Sequence, residues 1–155
     1  MRRTSRTVEE EFPLAHRYFS MYDLAKAVGA SRPNLADDVK LVQSLFQASQ
    51  SVNDPFMRGV PPVEVTGLFG VELGQAIRQY QTNARQAGGS NAIDGVMDPL
   101  PSRSGTEGDW DRSFRGGEDS TMGMLCYRLF RAGREIYVKV GETLGLPWKP
   151  DPFDG

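Results

Sequence analysis

The stretch from Ala30 to Phe46 reads ASRPNLADDVKLVQSLF and carries the clearest helical pattern in the sequence. Its apolar residues recur at spacings of three and four, and they are Val39, Val42, Leu45 and Phe46. That spacing predicts an amphipathic helix with one buried face. Asp37 and Asp38 lie in its first turn, where the helix dipole favours carboxylates. We expect this helix to end near Ser49.

Three further helices are expected around this one. The first begins at Ser20, a residue type that caps helices, and ends at Gly29. Another carries Leu73, Ile77 and Tyr80 on one face and stops at Gly88-Gly89. The last spans 119–146 as one long helix, although its internal glycines allow a kink. The residues of its apolar stripe are Met122, Leu125, Leu129, Ile136 and Val140.

A short pattern occurs twice, each time before a possible helix. Val65-Thr66-Gly67 and Ile93-Asp94-Gly95 each consist of an apolar residue, a small polar residue and glycine, 28 positions apart. The repetition predicts one turn design used twice.

Composition excludes several classes of protein. The chain has 155 residues and a net charge of −2, so it fits one domain without a global positive field for nucleic acid. One cysteine, Cys126, and one histidine, His16, leave no disulfide framework and no multi-histidine metal site. His16 has no neighbouring nucleophile or acidic residue to orient it. We therefore expect no enzyme activity and no cofactor, and Cys126 is expected to be a buried small apolar residue.

Nothing in the sequence predicts export by a signal peptide or insertion into a membrane. Arg2, Arg3 and Arg6 are followed by Glu9–Glu11 where a signal peptide needs apolar residues. No apolar run approaches the roughly 20 residues that a bilayer requires. We expect a cytoplasmic protein, unless a dedicated machine exports it.

The expected organisation is mainly α, a small helical bundle with short extended segments plus the long C-terminal helix. We divide it into an N-terminal arm over 1–19 and a helical domain over 20–99. A flexible loop over 100–118, the helix over 119–146 and a tail over 147–155 complete it.

Four motifs together resemble those of peptidoglycan-binding domains. The helix at Ala30–Phe46 has that family's Pro-Asn start, Asp-Asp-Val turn and Val-Gln core. Val65–Gly70 resembles its glycine loop, Ala76–Gln81 its second helix, and Asp94–Pro99 its closing turn. The motifs occur in the family's order and cover about residues 28–99. Departures are Thr66, where the family has aspartate, the changed start of the next helix at Val71–Leu73, and the residues after Pro99.

The resemblance implies a fold of the peptidoglycan-binding-domain type and a noncatalytic module that recognises cell-wall glycan or its stem peptide. A ligand of that kind needs hydrogen-bonding side chains and an aromatic platform. The candidate ligand residues are Phe69, Arg78, Gln81, Asn83 and Asp94. From residue type alone, a turn role is favoured for Asp94, a core position for Tyr80 and Phe69, and a solvated position for Arg78 and Gln81.

The alternative is a cytosolic adaptor, or a structural component of a phage-like or contractile secretion machine, that uses the same scaffold to bind a protein. Its candidate partner surface is the stripe of the last helix, which could also join two copies of the chain. Packing of that stripe back on its own domain is the simpler interpretation and is favoured.

Overall fold

The computed structural model describes residues 2–9, 18–89, 91–99 and 120–145, and these form a mainly helical, bundle-like fold. The helices are α1 (Ala36–Ser51), α2 (Val71–Gln86), α3 (Thr121–Ala132) and α4 (Arg134–Leu144), with a short 3-10 helix at Pro55–Met57. The strands β1 (Arg2–Glu9) and β2 (Tyr18–Asp23) form an antiparallel pair. The expected mainly α class with short extended segments is confirmed. The expected loop over 100–118, the tail over 147–155 and His16 lie outside the described residues.

The helix expected from Ser20 is wrong, because residues 18–23 form β2. Its register with β1 runs from Glu9 opposite Tyr18 to Arg2 opposite Asp23, with an irregularity between Arg3 and Thr7. This strand continues through residue 19, where the expected arm ends. The sequence YFSMYD is rich in aromatic residues that favour strands, and the partner strand supplies the hydrogen bonds that a helix would otherwise provide.

The single helix expected over 119–146 is divided into α3 and α4 at Gly133. Glycine has a low helix propensity, and Gly133 takes an extended φ of −164°. At the start of α3, the Ser120 hydroxyl accepts a hydrogen bond from the Gly123 amide at 3.1 Å. This is an N-cap of the ordinary kind.

The last two helices pack on the rest of the chain. Both α3 and α4 contact α1, and α3 also contacts β2. The Tyr22 hydroxyl donates to the backbone oxygen of Tyr137 at 2.9 Å and accepts from the Gly141 amide at 3.0 Å. The largest fully buried side chains are Tyr22, Tyr80, Tyr137, Phe46, Leu24, Leu41, Leu45, Ile77, Met97 and Met122. The simpler interpretation of the final stripe is thus confirmed.

A partly buried ion pair joins α3 to the segment after α1. The Arg128 guanidinium donates to Asp54 Oδ1 at 2.7 Å and lies 3.6 Å from the centre of the Phe56 ring. Cys126 is buried, as expected, and burial raises the pKa of its thiol to about 12.

Residues 24–29, which precede α1, are fixed by the side chain of Asp38 in α1 and by that of Asn34 just before it. The Asp38 carboxylate accepts hydrogen bonds from the amides of Ala25 and Lys26 at 3.0 and 2.9 Å. The Asn34 side chain accepts from the Gly29 amide and donates to its carbonyl, both at 2.8 Å. Residues 24–29 are therefore held in one place relative to α1.

Candidate functional site

The first turn, residues 66–68, is held by a glutamine of α1. Gln43 Oε1 accepts from the amides of Thr66 and Gly67 at 2.8 and 2.9 Å. Its Nε2 donates to Thr66 Oγ1 at 3.0 Å and to the Leu68 carbonyl at 3.3 Å. The Leu68 amide in turn donates to Thr66 Oγ1 at 3.1 Å. One side chain thus satisfies the backbone of the whole turn.

The second turn, residues 94–96, is held in the same way by a glutamine of α2. Gln81 Oε1 accepts from the amides of Asp94 and Gly95 at 3.1 and 2.8 Å. Its Nε2 donates to Asp94 Oδ1 at 3.1 Å and to the Val96 carbonyl at 3.0 Å. The Val96 amide donates to Asp94 Oδ1 at 3.0 Å. Gln81 Nε2 also contacts Thr121 Oγ1 at 3.1 Å, which ties the start of α3 to this turn.

The glycines of the two turns lie at equivalent positions beside the helices that support the turns. Gly67 and Gly95 have φ of +80° and +71°, a left-handed region that favours glycine. A Cβ built on Gly67 would lie 3.0 Å from the Lys40 side chain, and one on Gly95 would lie 4.0 Å from Arg78 Cβ. Arg78 follows Lys40 by 38 positions, as Gln81 follows Gln43. The predicted repeated turn is therefore confirmed, and the repeat includes the helix that supports each turn.

Thr66 performs the local role that Asp94 performs in the second turn. Each side-chain oxygen accepts from the glutamine Nε2 and from the amide two residues later. Threonine in the first turn therefore gives the same local hydrogen bonds as aspartate in the second turn. Unlike Asp94, Thr66 carries no negative charge.

The two turns differ in what covers them. The second turn is covered by residues 24–29, because Val28 and Met97 exchange both backbone hydrogen bonds at 3.0 and 2.8 Å. Met97 is fully buried and Val96 is 7% exposed. The first turn is open, and its Leu68 is 75% exposed.

A groove of about 400 Å³ runs beside the open first turn. Phe69 and Leu73 line it with apolar surface, and Val71, 71% exposed, follows at the start of α2. Glu64 and Glu72 also line the groove and make it acidic. The arrangement suits a ligand that combines apolar surface with positive charge.

The five predicted ligand residues do not converge on one site. Gln81 is 1% exposed, and Asn83 donates to the carbonyls of Phe56 and Arg58 at 2.8 and 2.7 Å, so both amides hold the chain's own backbone. The expectation that Gln81 is solvated is wrong, because the turn needs its amide. Phe69 lies in the groove, partly buried against the core.

Arg78 and Asp94 remain accessible at the second turn. Both are exposed. The turn role favoured for Asp94 is confirmed by its hydrogen bond from the Val96 amide, and only one of its oxygens is used there. In the described part of the chain, Arg78 forms no ion pair.

The candidate partner residues lie mostly in the core. Exposure is zero for Met122, Leu125 and Leu129 and 7% for Val140, whereas Ile136 is 38% exposed. The stripe therefore offers no continuous apolar surface to a second protein, because α3 and α4 bury it against α1 and β2.

Gln43, which holds the first turn, is the residue beside the groove that the sequence pattern does not single out. The repeated turns were visible, and a glutamine follows an apolar core position in each supporting helix, at Val42-Gln43 and Tyr80-Gln81. A glutamine at the same place in both helices is the sequence signal that could identify the residue supporting each turn.

Among the described residues, no group of three histidine, cysteine or acidic side chains could hold a metal ion. Nor does any helix in those parts of the chain have the length and apolar character to span a membrane.

No protein-family model, curated protein or solved structure matches the chain. Any function must therefore be argued from the turns, the groove and the accessible side chains beside them.

Proposed function

We propose that this chain is a noncatalytic binding module of the peptidoglycan-binding type, which recognises carboxylate-bearing parts of the bacterial cell wall. The observation that carries the proposal is the pair of turns anchored by Gln43 and Gln81. They occur on the same helices, and in the same order, as the motifs that resemble the family. A resemblance of this kind supports the scaffold more strongly than the ligand.

The accessible face of the second turn is the proposed contact with the wall. The Cβ of Arg78 lies next to Gly95. Arg78 is exposed, and its guanidinium can form paired hydrogen bonds with a carboxylate. Peptidoglycan stem peptides carry such carboxylates. Asp94 can accept hydrogen bonds from amides or hydroxyls of the same ligand, and Ile93, 36% exposed, provides adjacent apolar surface.

The first turn is a poorer candidate for a wall ligand. Lys40 takes the place of Arg78 there, and Thr66 takes the place of Asp94, so these two positions carry neither a planar guanidinium nor a carboxylate. The difference supplies a matched control, because Lys40 and Arg78 are like-charged residues at equivalent positions.

Sedimentation with isolated sacculi tests this proposal. The fraction of purified protein that sediments is measured across a salt series for the wild type, Arg78→Ala and Lys40→Ala. We expect Arg78→Ala to lower the bound fraction at least about fivefold, the loss of one charged hydrogen-bonded contact, and Lys40→Ala to leave it nearly unchanged. Arg78→Lys should restore only part of the binding, because a lysine cannot form the paired contact.

Two results would refute the wall-binding proposal. One is the absence of sedimentation at low salt. The other is an equal loss of binding in Arg78→Ala and Lys40→Ala together with complete release by modest salt, since that is nonspecific charge attraction.

The adaptor alternative requires a surface that a protein could occupy. The stripe of α3 and α4 does not provide one, because it is largely buried. The groove beside the first turn does, and its chemistry identifies a specific kind of partner.

A further inference from the structure

In the second turn, a separate segment of the same chain pairs with the backbone of the turn. At the second turn, Val28 donates its amide to the Met97 carbonyl at 3.0 Å and accepts from the Met97 amide at 2.8 Å. This is the hydrogen-bonded pairing of an antiparallel sheet, formed at a single residue. Val28 is fully buried by the contact.

The equivalent position in the first turn is Phe69, which follows Thr66 by three residues as Met97 follows Asp94. Within the described parts of the chain, neither the amide nor the carbonyl of Phe69 forms a hydrogen bond. The neighbouring Leu68 is 75% exposed, whereas its counterpart Val96 is 7% exposed. The first turn therefore exposes an unpaired backbone amide and carbonyl at Phe69 and an apolar side chain at Leu68. The segment that covers the equivalent groups in the second turn has no counterpart here among the described residues.

We infer that the groove beside the first turn binds an extended segment of a partner protein. The segment pairs with the backbone of Phe69 as Val28 pairs with Met97, and it places one apolar side chain in the groove. This mode is addition of a strand to an unpaired backbone edge, with the groove supplying selectivity for the side chain.

The second turn also indicates which residue must follow the apolar residue of the partner segment. A Cβ built on Gly29 would lie 2.9 Å from Val96 Cγ2 and 3.1 Å from the Gly95 carbonyl oxygen, so a side chain there requires the turn to move. The same approach in the first turn would bring the segment against Leu68 and the Gly67 carbonyl. The preferred partner sequence is therefore an apolar residue followed by glycine.

Charge further restricts the partner. Glu64 and Glu72 line the groove, and neither forms an ion pair within the described residues. Glu72 Oε2 lies close to Gly70, 2.9 Å from a Cβ built there, which places this carboxylate at the start of α2, beside the groove. A lysine or arginine near the apolar-glycine pair complements these carboxylates.

The chain provides a probe with all three features. Residues 25–31, Ala-Lys-Ala-Val-Gly-Ala-Ser, contain the apolar-glycine pair and a nearby lysine. The blocked synthetic peptide is titrated into the full 15N-labelled chain, and backbone amide shifts are followed. We expect saturable shifts at Gly67, Leu68 and Phe69 with a Kd below about 1 mM, and at least about fivefold weaker binding when the peptide's glycine is valine.

A matched pair of protein variants locates the binding surface. Leu68→Asp should weaken peptide binding at least about tenfold, whereas Ile136→Asp, the same kind of change on another exposed apolar residue, should not. Unchanged thermal unfolding of both variants shows that the fold is intact.

Several outcomes would overturn this inference. They are an absence of shifts at 66–70 with several millimolar peptide, shifts confined to Val96 and Met97, and equal binding of the glycine and valine peptides. Sacculus binding that depends on Leu68 would assign the groove to a wall ligand instead, and a dimer abolished by Leu68→Asp would assign it to a second copy of the chain. Wall binding through Arg78 is a separate result, so either proposal can fail without the other.

Discussion

Gln81 and Gln43 occupy equivalent positions, but replacing each by leucine should lower the free energy of unfolding by different amounts. Gln81→Leu keeps the approximate size of a side chain that is 1% exposed but removes all its hydrogen bonds. The Gly95 amide and the Val96 carbonyl are left unpaired in a buried environment. At about 1–3 kcal/mol for each unsatisfied buried group, the free energy of unfolding should fall by about 3–5 kcal/mol.

Gln43→Leu should cost less, about 1–2 kcal/mol, because Thr66 and Leu68 are exposed and water can replace their lost hydrogen bonds, so that only the Gly67 amide is left buried and unpaired. Leu68 is the most exposed of the large apolar residues described, and its carbonyl is one of the two groups that Gln43 Nε2 contacts.

Urea denaturation of the wild type and of the two variants measures the difference. We expect Gln81→Leu to lower the unfolding midpoint clearly more than Gln43→Leu, with similar slopes. Losses below about 1 kcal/mol in both variants would refute the anchoring role. A larger loss for Gln43→Leu would refute the assignment of open and covered turns.

Three further predictions concern the core. Gly141→Ala should destabilise the fold by about 2 kcal/mol or more, because its Cβ would lie 2.5 Å from the Tyr22 hydroxyl, and Tyr22→Phe should relieve part of that loss in a double-mutant cycle. The contribution of Cys126 to the free energy of unfolding should be constant below about pH 8.5 and fall as the pH rises towards 12, because the unfolded Cys126 thiol releases a proton that the buried one keeps; Cys126→Ala should remove that fall below pH 10, measured by urea denaturation at each pH. Asp54→Ala should cost about 2–4 kcal/mol, since it leaves the partly buried Arg128 unpaired, and a thermal unfolding midpoint unchanged from wild type would contradict this.

The parts of the fold that depend on local pattern could be predicted from the sequence. Val39, Val42, Leu45 and Phe46 are buried as their spacing indicates, since a period of 3.6 residues places them on one face. The repeated turn was also visible, because an apolar residue, a small polar residue and glycine carry the backbone requirement of the turn themselves.

The parts that depend on distant partners could not be predicted. The strand at 18–23 requires β1, and the burial of Met97 requires Val28, which comes from the other end of the domain. Gln81 resembled a surface residue because nothing in its own helix shows that a turn 13 positions later needs its amide. The apolar stripe after Ser120 was correctly located, but only the structure shows which surface covers it.

The two turns share one design, but the second is covered by another segment of the chain and the first is open. Amide hydrogen exchange at Met97 and Phe69 measures this difference. The Met97 amide is paired with the Val28 carbonyl and should exchange only on extensive unfolding, whereas the Phe69 amide should exchange at close to the rate of an unstructured peptide. Comparable strong protection at Phe69 would contradict the account, because it would mean that the first turn is already occupied.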